Sequence, residues 1–430
     1  MKRFALEKLK EWKTKPNRKP LIIRGARQVG KTWLMKEFGR TCFENVAYVN
    51  FDSNTRMQQV FEGEISIERI VLAISAETGI SIDAQNTLLI FDEVQEVPKA
   101  LSSLKYFCEN APEYAIVAAG SLLGVALHKG TSFPVGKVDF MDLHPLTFQE
   151  FLCALGEERF VEILQGPDTD MVTMFKSKYI DRLREYYYVG GMPEVVQKYI
   201  DIKDFREVDR VQRNLLQGYQ YDIAHYATAE EKVKAEKCYL SLAKQLLDKE
   251  NHKFQYKEIE HGGRAQKYYS SVEWLLRADM VQLCKRVTDV RFDLDDYARD
   301  DFFRAYTTDL SLLMAMKDFS LKQHIVENTL AGNSKGGIYE CAIADALYKK
   351  GYQIYFYKND TTKREIDVII QKDGSVVPIE VKSRNTRANS LKWLMKNNKD
   401  ISYGYKFADG NIGVSEEGII TLPLYMIAFI

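Results

Sequence analysis

The chain has 430 residues, 46% hydrophobic and 12% aromatic, which is ample for folded cores but too long for a single one; two to four domains are expected. Its 60 Lys and Arg balance 60 Asp and Glu, so the formal net charge is zero and bulk charge gives no support to a nucleic-acid partner, which would need a local basic patch. The six cysteines (Cys42, Cys108, Cys153, Cys238, Cys284 and Cys341) are scattered without a C-x-x-C pair, which argues against a zinc site or a disulfide frame and reads as buried thiols in a reducing cytosol.

The chain starts with a charged amphipathic helix, Met1 to Trp12, that lacks the apolar core of a signal peptide. Next comes Leu21-Ile-Ile-Arg-Gly-Ala-Arg-Gln-Val-Gly-Lys-Thr-Trp, which fits G-x-x-x-x-G-K-[ST] at Gly25, Gly30, Lys31 and Thr32 between a strand-like run and helix formers. Gly25, Ala26, Arg27, Gln28, Val29, Gly30, Lys31, Thr32 and Trp33 form the expected nucleotide-binding segment. The glycines let backbone N–H groups wrap a phosphate, Lys31 adds a point charge at the β and γ phosphates, and the Thr32 hydroxyl can ligate Mg²⁺. ATP and Mg²⁺ are therefore the expected cofactors.

A strand-like run from Val46 ends at Asn50-Phe51-Asp52, and a helical stretch follows from Met57 to about Thr78. Thr87-Leu-Leu-Ile-Phe-Asp-Glu then reads as a core strand ending in two acids, at the edge where a parallel α/β sheet puts its ligands. Asp92 is expected in the Mg²⁺ shell, and Glu93 is expected to orient and deprotonate a water. The Asp-Glu pair favours hydrolysis over a small-molecule kinase. Another apolar run, from Tyr114, ends at Ser121, which either senses the γ phosphate or caps a helix. Alternating short apolar runs and helical segments argue a doubly wound parallel sheet.

Further motifs are Leu146-Thr147-Phe148 followed by Glu150-Phe151, and Gly190-Gly191-Met-Pro-Glu. With the phosphate loop, the Asn50-Phe51-Asp52 strand end and the Phe-Asp-Glu-Val-Gln box, they make the chain resemble, over nearly its whole length, a large group of prokaryotic AAA+ ATPases whose C-terminal domain long had no assigned function. The resemblance implies an AAA+ core with a small helical lid, a winged-helix segment and a C-terminal fold similar to PD-(D/E)XK nucleases. Ser311 stands where relatives usually have glycine, which bears only on local turn geometry. Arg182, Arg184, Arg210 and Arg213 lie on helices after the core, and none is assigned as an arginine finger.

The middle third fits that implication on its own residues. A helix from Lys234 to Lys249, the turn His261-Gly262-Gly263, a helix from about Arg264 to Arg277 and a strand pair over Ala278 to Val287 follow the winged-helix pattern. Arg264, Lys267, Arg277, Lys285 and Arg286 could face phosphate, whereas Asp293, Asp295, Asp296, Asp300 and Asp301 would repel it; a wing used only for packing is the other reading.

In the last third, a helix from Ile338 carries Glu340, Lys363 to Ile370 is a strand carrying Asp367, and beyond the turn Lys372-Asp373-Gly374 a second strand carries Glu380 and Lys382 on one face. Asp367 and Glu380 can converge on a divalent metal with Glu340 nearby, and Lys382 is placed to polarise a water or steady phosphate charge. This is the Glu, Asp, Glu-x-Lys order of PD-(D/E)XK nucleases, a fold that also serves as a non-catalytic platform. Ile419 to Ile430 is apolar, too short to cross a bilayer, and expected to be a terminal strand.

The expected fold is α/β: a P-loop AAA+ parallel sheet with helical lid over 1–205, a helical and winged-helix domain over 206–315, and a restriction-endonuclease-like α/β domain over 316–430. The expected catalytic residues are Lys31, Glu93, Ser121 and Lys382; the expected metal ligands are Thr32, Asp92, Glu340, Asp367 and Glu380. The expected function is a cytoplasmic ATPase whose nucleotide cycle controls the nuclease-like domain in action on nucleic acid. The alternative is a nucleotide-gated regulatory protein in which that domain binds a partner and cuts nothing. ATP, DNA and a protein remain as partners, a homo-oligomer is left open, and no membrane is involved.

Overall fold

The computed structural model describes residues 1–63, 65–121, 124, 133–247, 253–330, 332–382, 387–410 and 412–430. The chain forms two compact units, Lys2–His144 with Arg277–Asp279, and Pro145–Leu276 with Met280–Ile430 and Met1. Residues 145–205, the last part of the 1–205 stretch expected to hold the ATPase core and its helical lid, group with the second unit.

The first unit is built on five parallel strands, β1 (Leu21–Arg24), β2 (Asn45–Asn50), β3 (Thr87–Asp92), β4 (Ala115–Ala119) and β5 (Asp139–Asp142), in the order β2-β3-β4-β1-β5. Every residue of β3 and β4 is buried, which is why both read as unbroken apolar runs: helices cover a parallel sheet on both faces. The helices are α1 (Ala5–Thr14), α2 (Lys31–Cys42), α3 (Thr55–Glu62), α4 (Ile67–Thr78) and α5 (Pro98–Asn110). On one face Phe51, Phe61 and Phe91 meet edge to face, with ring centroids 5.4 to 6.1 Å apart, in a core with Ile22, Leu89 and Ile116. The register pairs Ile22 with Ala118, Ala118 with Phe91 and Asn50 with Asp92. All five strands run the same way, so Gly25, Ser121, Glu93 and Asn50 emerge at one edge.

The second unit joins a set of helices to an eight-stranded mixed sheet. Its strands are β6 (Val281–Val287), β7 (Ala298–Thr307), β8 (Tyr355–Lys358), β9 (Glu365–Lys372), β10 (Ser375–Val381), β11 (Gly404–Phe407), β12 (Gly413–Val414) and β13 (Ile419–Leu422), in the order β12-β13-β11-β10-β9-β8-β6-β7. The turn between β9 and β10 is the one expected: Asp373 and Gly374 have φ of 48° and 74°, a primed two-residue loop that fits the twist of the hairpin. The terminal segment differs from expectation in part. A strand holds only Ile419–Leu422, and after Pro423 the chain turns into a 3₁₀ helix, Leu424–Phe429.

The strand pair expected as a wing also differs. Ala278–Val287 contributes one strand, β6, whose antiparallel partner is β7, and β6 pairs in parallel with β8 through Lys285 and Tyr355. The hairpin is therefore the end of the large sheet. Its backbone groups find partners in β8, a long-range pairing that local pattern does not reveal.

Two motifs on which the family resemblance rested have structural work here. Thr147 and Glu150 close a capping box at the start of the helix Phe148–Ala154, each side chain accepting from the other's backbone N–H at 3.2 and 3.0 Å. A Cβ on Gly191 would lie 2.1 Å from the Leu146 carbonyl oxygen, so only glycine allows that close approach, and Asp309 accepts from the Gly191 N–H at 2.9 Å. Ser311, in the usual glycine position, donates to the Val189 carbonyl at 2.7 Å.

Candidate functional site

The site in the first unit is assembled by strand ends. Gly25 leaves β1 at φ 143°, where an added Cβ would fall 2.1 Å from the Leu143 carbonyl oxygen; Gln28 (φ 64°) and Gly30 (φ 94°) complete the left-handed turns of the loop. The helix α2 starts at Lys31 directly after Gly30, so its first N–H groups point into the loop with the positive end of the helix dipole behind them. Ala26 and Val29 are buried and anchor the loop, Arg27 and Gln28 are exposed, and Trp33 is 45% exposed.

The Lys31 ammonium is buried and donates to the carbonyl oxygens of Gly25 and Ala26, both at 2.8 Å. Burial pulls its pKa below the ordinary value, partly opposed by the Glu93 carboxylate. A phosphate oxygen would give this cation the anionic partner that two neutral carbonyls do not.

Thr32 donates to Asp92 Oδ2 at 2.7 Å, so the hydroxyl and carboxylate expected to share a cation are already side by side. A second hydroxyl, from Tyr48 on β2, reaches the same oxygen at 2.9 Å, and the phenol is pushed up to about 12 by burial and by the Asp92 charge. Tyr48 was missed in the sequence; its only signal was a polar tip in a strand beside the acidic one. Glu93 sits at φ 51°, and its carboxylate accepts from the Gln95 amide (2.7 Å), the Ser121 N–H (3.2 Å) and the Ser121 hydroxyl (3.4 Å). Ser121 thus touches the expected base. Its alternative as a helix cap concerns residues 122–132, of which only Gly124 is among those described.

The residues Thr32 and Asp92 fit Mg²⁺, which keeps several waters and needs few protein oxygens when phosphates supply the rest. Among the described residues no three or more His, Cys, Asp or Glu side chains gather to hold a metal ion.

In the second unit, the β9–β10 ladder runs through Ile379 opposite Val368 toward Glu380 and Asp367. Asp367 accepts from the Val381 N–H at 2.8 Å, and burial, then Glu340, push its carboxyl up to about 7. Glu380 is buried, bonded by the Leu391 N–H at 3.1 Å and by the Lys382 ammonium at 2.7 Å. Burial works against the Lys382 charge, but Glu380 outweighs it and holds the pKa above the ordinary value. Glu340 accepts at one oxygen from both Arg304 and Tyr306, each at 2.5 Å. Arg304 also reaches Glu365 and the Asp367 carbonyl, the latter at 3.2 Å. Sequence reasoning missed Arg304, although a lone arginine in the run Phe302-Phe303-Arg304-Ala305-Tyr306 was a signal.

Of the basic residues expected to face phosphate, Lys267 pairs with Glu260, Lys285 with Asp300 at 2.6 Å, and the mostly buried Arg286 with Asp360 at 2.7 Å.

Comparison with known proteins agrees with the first unit. Residues 17–152 match the family described as an AAA domain. The chain carries an AAA domain. Residues 180–323 and 335–427 match two families each described as a domain of unknown function, DUF8612 and DUF4143. No match was found among curated proteins. Among solved structures, a Walker-type ATPase of Pyrococcus abyssi is 13% identical, with 72% of this chain and 94% of that one covered and a TM-score of 0.44. The replication initiator DnaA bound to AMPPCP and single-stranded DNA is 14% identical, with 64% and 86% covered and a TM-score of 0.30. The Aeropyrum pernix ORC1 protein in complex with DNA is 11% identical, with 76% and 92% covered and a TM-score of 0.27. At these scores the likenesses carry no conclusion about this chain. No helix among the described residues is long and apolar enough to cross a membrane.

Proposed function

We propose that the AAA domain binds ATP with Mg²⁺ and hydrolyses it, and that this cycle controls what the second unit binds. The observation that carries the reading is the 2.7 Å hydrogen bond from Thr32 to Asp92, which joins the phosphate loop to the acidic strand. Thr32 and Asp92 would hold Mg²⁺, which neutralises charge on the β and γ oxygens. Lys31 and the N–H groups of the loop bind and orient the triphosphate. Glu93 takes the proton of the attacking water, and Ser121 positions the Glu93 carboxylate.

Phosphate release from ATP by the purified chain is the test, with Lys31→Ala and Glu93→Gln beside it. Release that depends on both residues is expected. No release by the unaltered chain, or equal release by Lys31→Ala, overturns the reading.

For the second unit, the residues that support a site are Glu340, Asp367, Glu380 and Lys382, on one sheet and one adjoining helix. Cleavage of nucleic acid there is one reading; a platform that binds a partner without cutting it is the other. The platform is favoured by the ion pairs that already engage Glu340, Glu380 and Lys382, and by the pairing of Lys267, Lys285 and Arg286 with acids. Incubation with single- and double-stranded DNA and Mn²⁺ separates them: cleavage lost in Asp367→Ala supports the nuclease, and intact DNA supports the platform.

A further inference from the structure

The acidic constellation of the second unit contains a cation of its own. Arg304, on β7, is 4% exposed in its side chain and touches three acidic residues: the carboxylates of Glu340 (2.5 Å) and Glu365, and the main-chain carbonyl of Asp367 (3.2 Å). Its guanidinium carbon lies 4.4 Å from the centre of the Phe356 ring. Tyr306, two residues along the same strand and so on the same face, donates to the Glu340 oxygen that Arg304 also holds. A guanidinium is always charged and offers several donors in a fixed fork, so one buried arginine can satisfy two carboxylates at once.

Three cations answer four carboxylates around it, which leaves at most one net negative charge. The carboxylates are Glu340, Glu365, Asp367 and Glu380; among the described residues, Arg304 pairs with Glu340 and Glu365, Lys358 with Glu365 at 2.9 Å, and Lys382 with Glu380 at 2.7 Å. A divalent ion shared by Glu340, Asp367 and Glu380 needs carboxylate oxygens that converge on one point and an excess of negative charge. Here Glu340 is turned to Arg304 and Tyr306, Glu380 to Lys382 and the Leu391 N–H, and Asp367 to the Val381 N–H. Three acids thus face three different sets of donors, and the described residues contain no gathering of three that suits a metal. The donor set does not fit a resident divalent cation.

We propose that Arg304 takes the part of the metal in this constellation: its guanidinium compensates the buried acids and holds β7, β9 and the helix Gly332–Lys349 together, so that the site of the second unit is metal-independent. The cost of separating Arg304 from its partners sets the strength of the arrangement. Removing one member of a buried charged set leaves the others uncompensated, which is far more damaging than removing both sides together. A metal ion can then repair what loss of the arginine exposes. This holds whether or not the AAA domain hydrolyses ATP.

The test uses the full chain in an Asp92→Asn background without nucleotide, so that Mn²⁺ loses both the Asp92 carboxylate and the phosphates at the loop. Calorimetric titration and thermal unfolding with Mn²⁺ are the readouts. With Arg304 present, no stoichiometric Mn²⁺ binding and no change in Tm are expected. Arg304→Met, which keeps the length of the stem but not the charge, should melt lower without metal, and Mn²⁺ should raise its Tm by about 5 °C or more, with one ion bound per chain. Adding Glu340→Gln to Arg304→Met should restore part of the lost Tm without metal and abolish the Mn²⁺ response. Arg304→Lys, which keeps one positive charge, should stay silent to Mn²⁺ and serves if the methionine variant does not fold. The proposal is overturned if the chain with Arg304 binds one Mn²⁺ and loses it with Glu340→Gln or Asp367→Asn. A folded Arg304→Met chain that ignores Mn²⁺ also overturns it.

Discussion

The Thr32 hydroxyl donates to Asp92 Oδ2 at 2.7 Å, joining the start of the helix behind the phosphate loop to the end of the acidic strand. β4 lies between the strands that carry the two motifs, so the contact is made above the sheet edge, where all five strands end. That edge is where charge can be brought to a triphosphate from several elements at once. Asp92→Asn should therefore leave ATP bound but raise the Mg²⁺ concentration needed for half-maximal phosphate release, by about tenfold or more. A Mg²⁺ titration of the rate is the measurement; an unchanged midpoint would remove Asp92 from the metal shell.

Lys31→Ala should weaken ATP by about a hundredfold, since one buried charge-assisted contact to phosphate is lost while the loop N–H groups remain. Isothermal calorimetry with ATP and Mg²⁺ reads this directly. Affinity equal to that of the unaltered chain would place the nucleotide elsewhere.

Glu93→Gln should keep ATP bound and slow turnover by about a hundredfold or more, because the amide fills the same space but accepts no proton from water. The Gln95 and Ser121 donors that hold Glu93 can still reach the amide oxygen, so the fold of the loop should not change. Unaltered turnover would remove Glu93 as the base.

Gly191→Ala should destabilise the second unit by about 3 kcal/mol or more, because the new methyl would meet the Leu146 carbonyl oxygen at 2.1 Å, in backbone that cannot yield cheaply. The same move displaces the 2.9 Å bond from Gly191 to Asp309, whose carboxylate also binds the buried Lys349 at 2.7 Å. Chemical denaturation followed by circular dichroism gives the figure. A loss below about 1 kcal/mol would show that Leu146 shifts easily.

Asp345 should make stability depend on pH. Its carboxyl is buried beside Lys349 at 2.7 Å, and burial, partly offset by Lys349, pushes the pKa from 3.8 to about 7. Between these two values the folded chain keeps a proton on Asp345 that the unfolded chain releases, so this group lowers stability as pH rises through the window. Asp345→Asn should flatten the fall in denaturation midpoint across that range. A slope equal to that of the unaltered chain would assign the dependence to other groups.

The local motifs were legible because each needs only neighbours in sequence. The phosphate loop, the acidic strand and the Asp373–Gly374 hairpin are set by glycine freedom, apolar runs and turn chemistry, and all three lie where expected. Lys31, Thr32, Asp92, Glu93 and Ser121 could be placed at one edge because parallel strands share a direction. What could not be read was which partner each polar group finds across the fold. Tyr48 on Asp92, Arg304 on Glu340 and the pairing of β6 with β8 join residues far apart in sequence. Local propensity carries no information about such pairs; burial does, since a charge or a strand edge taken from water must meet whatever donor or acceptor the packed chain brings to it. The sequence by itself determined the chemistry available to this protein, and the tertiary structure decided which of its carboxylates face a phosphate loop and which are already answered by an arginine.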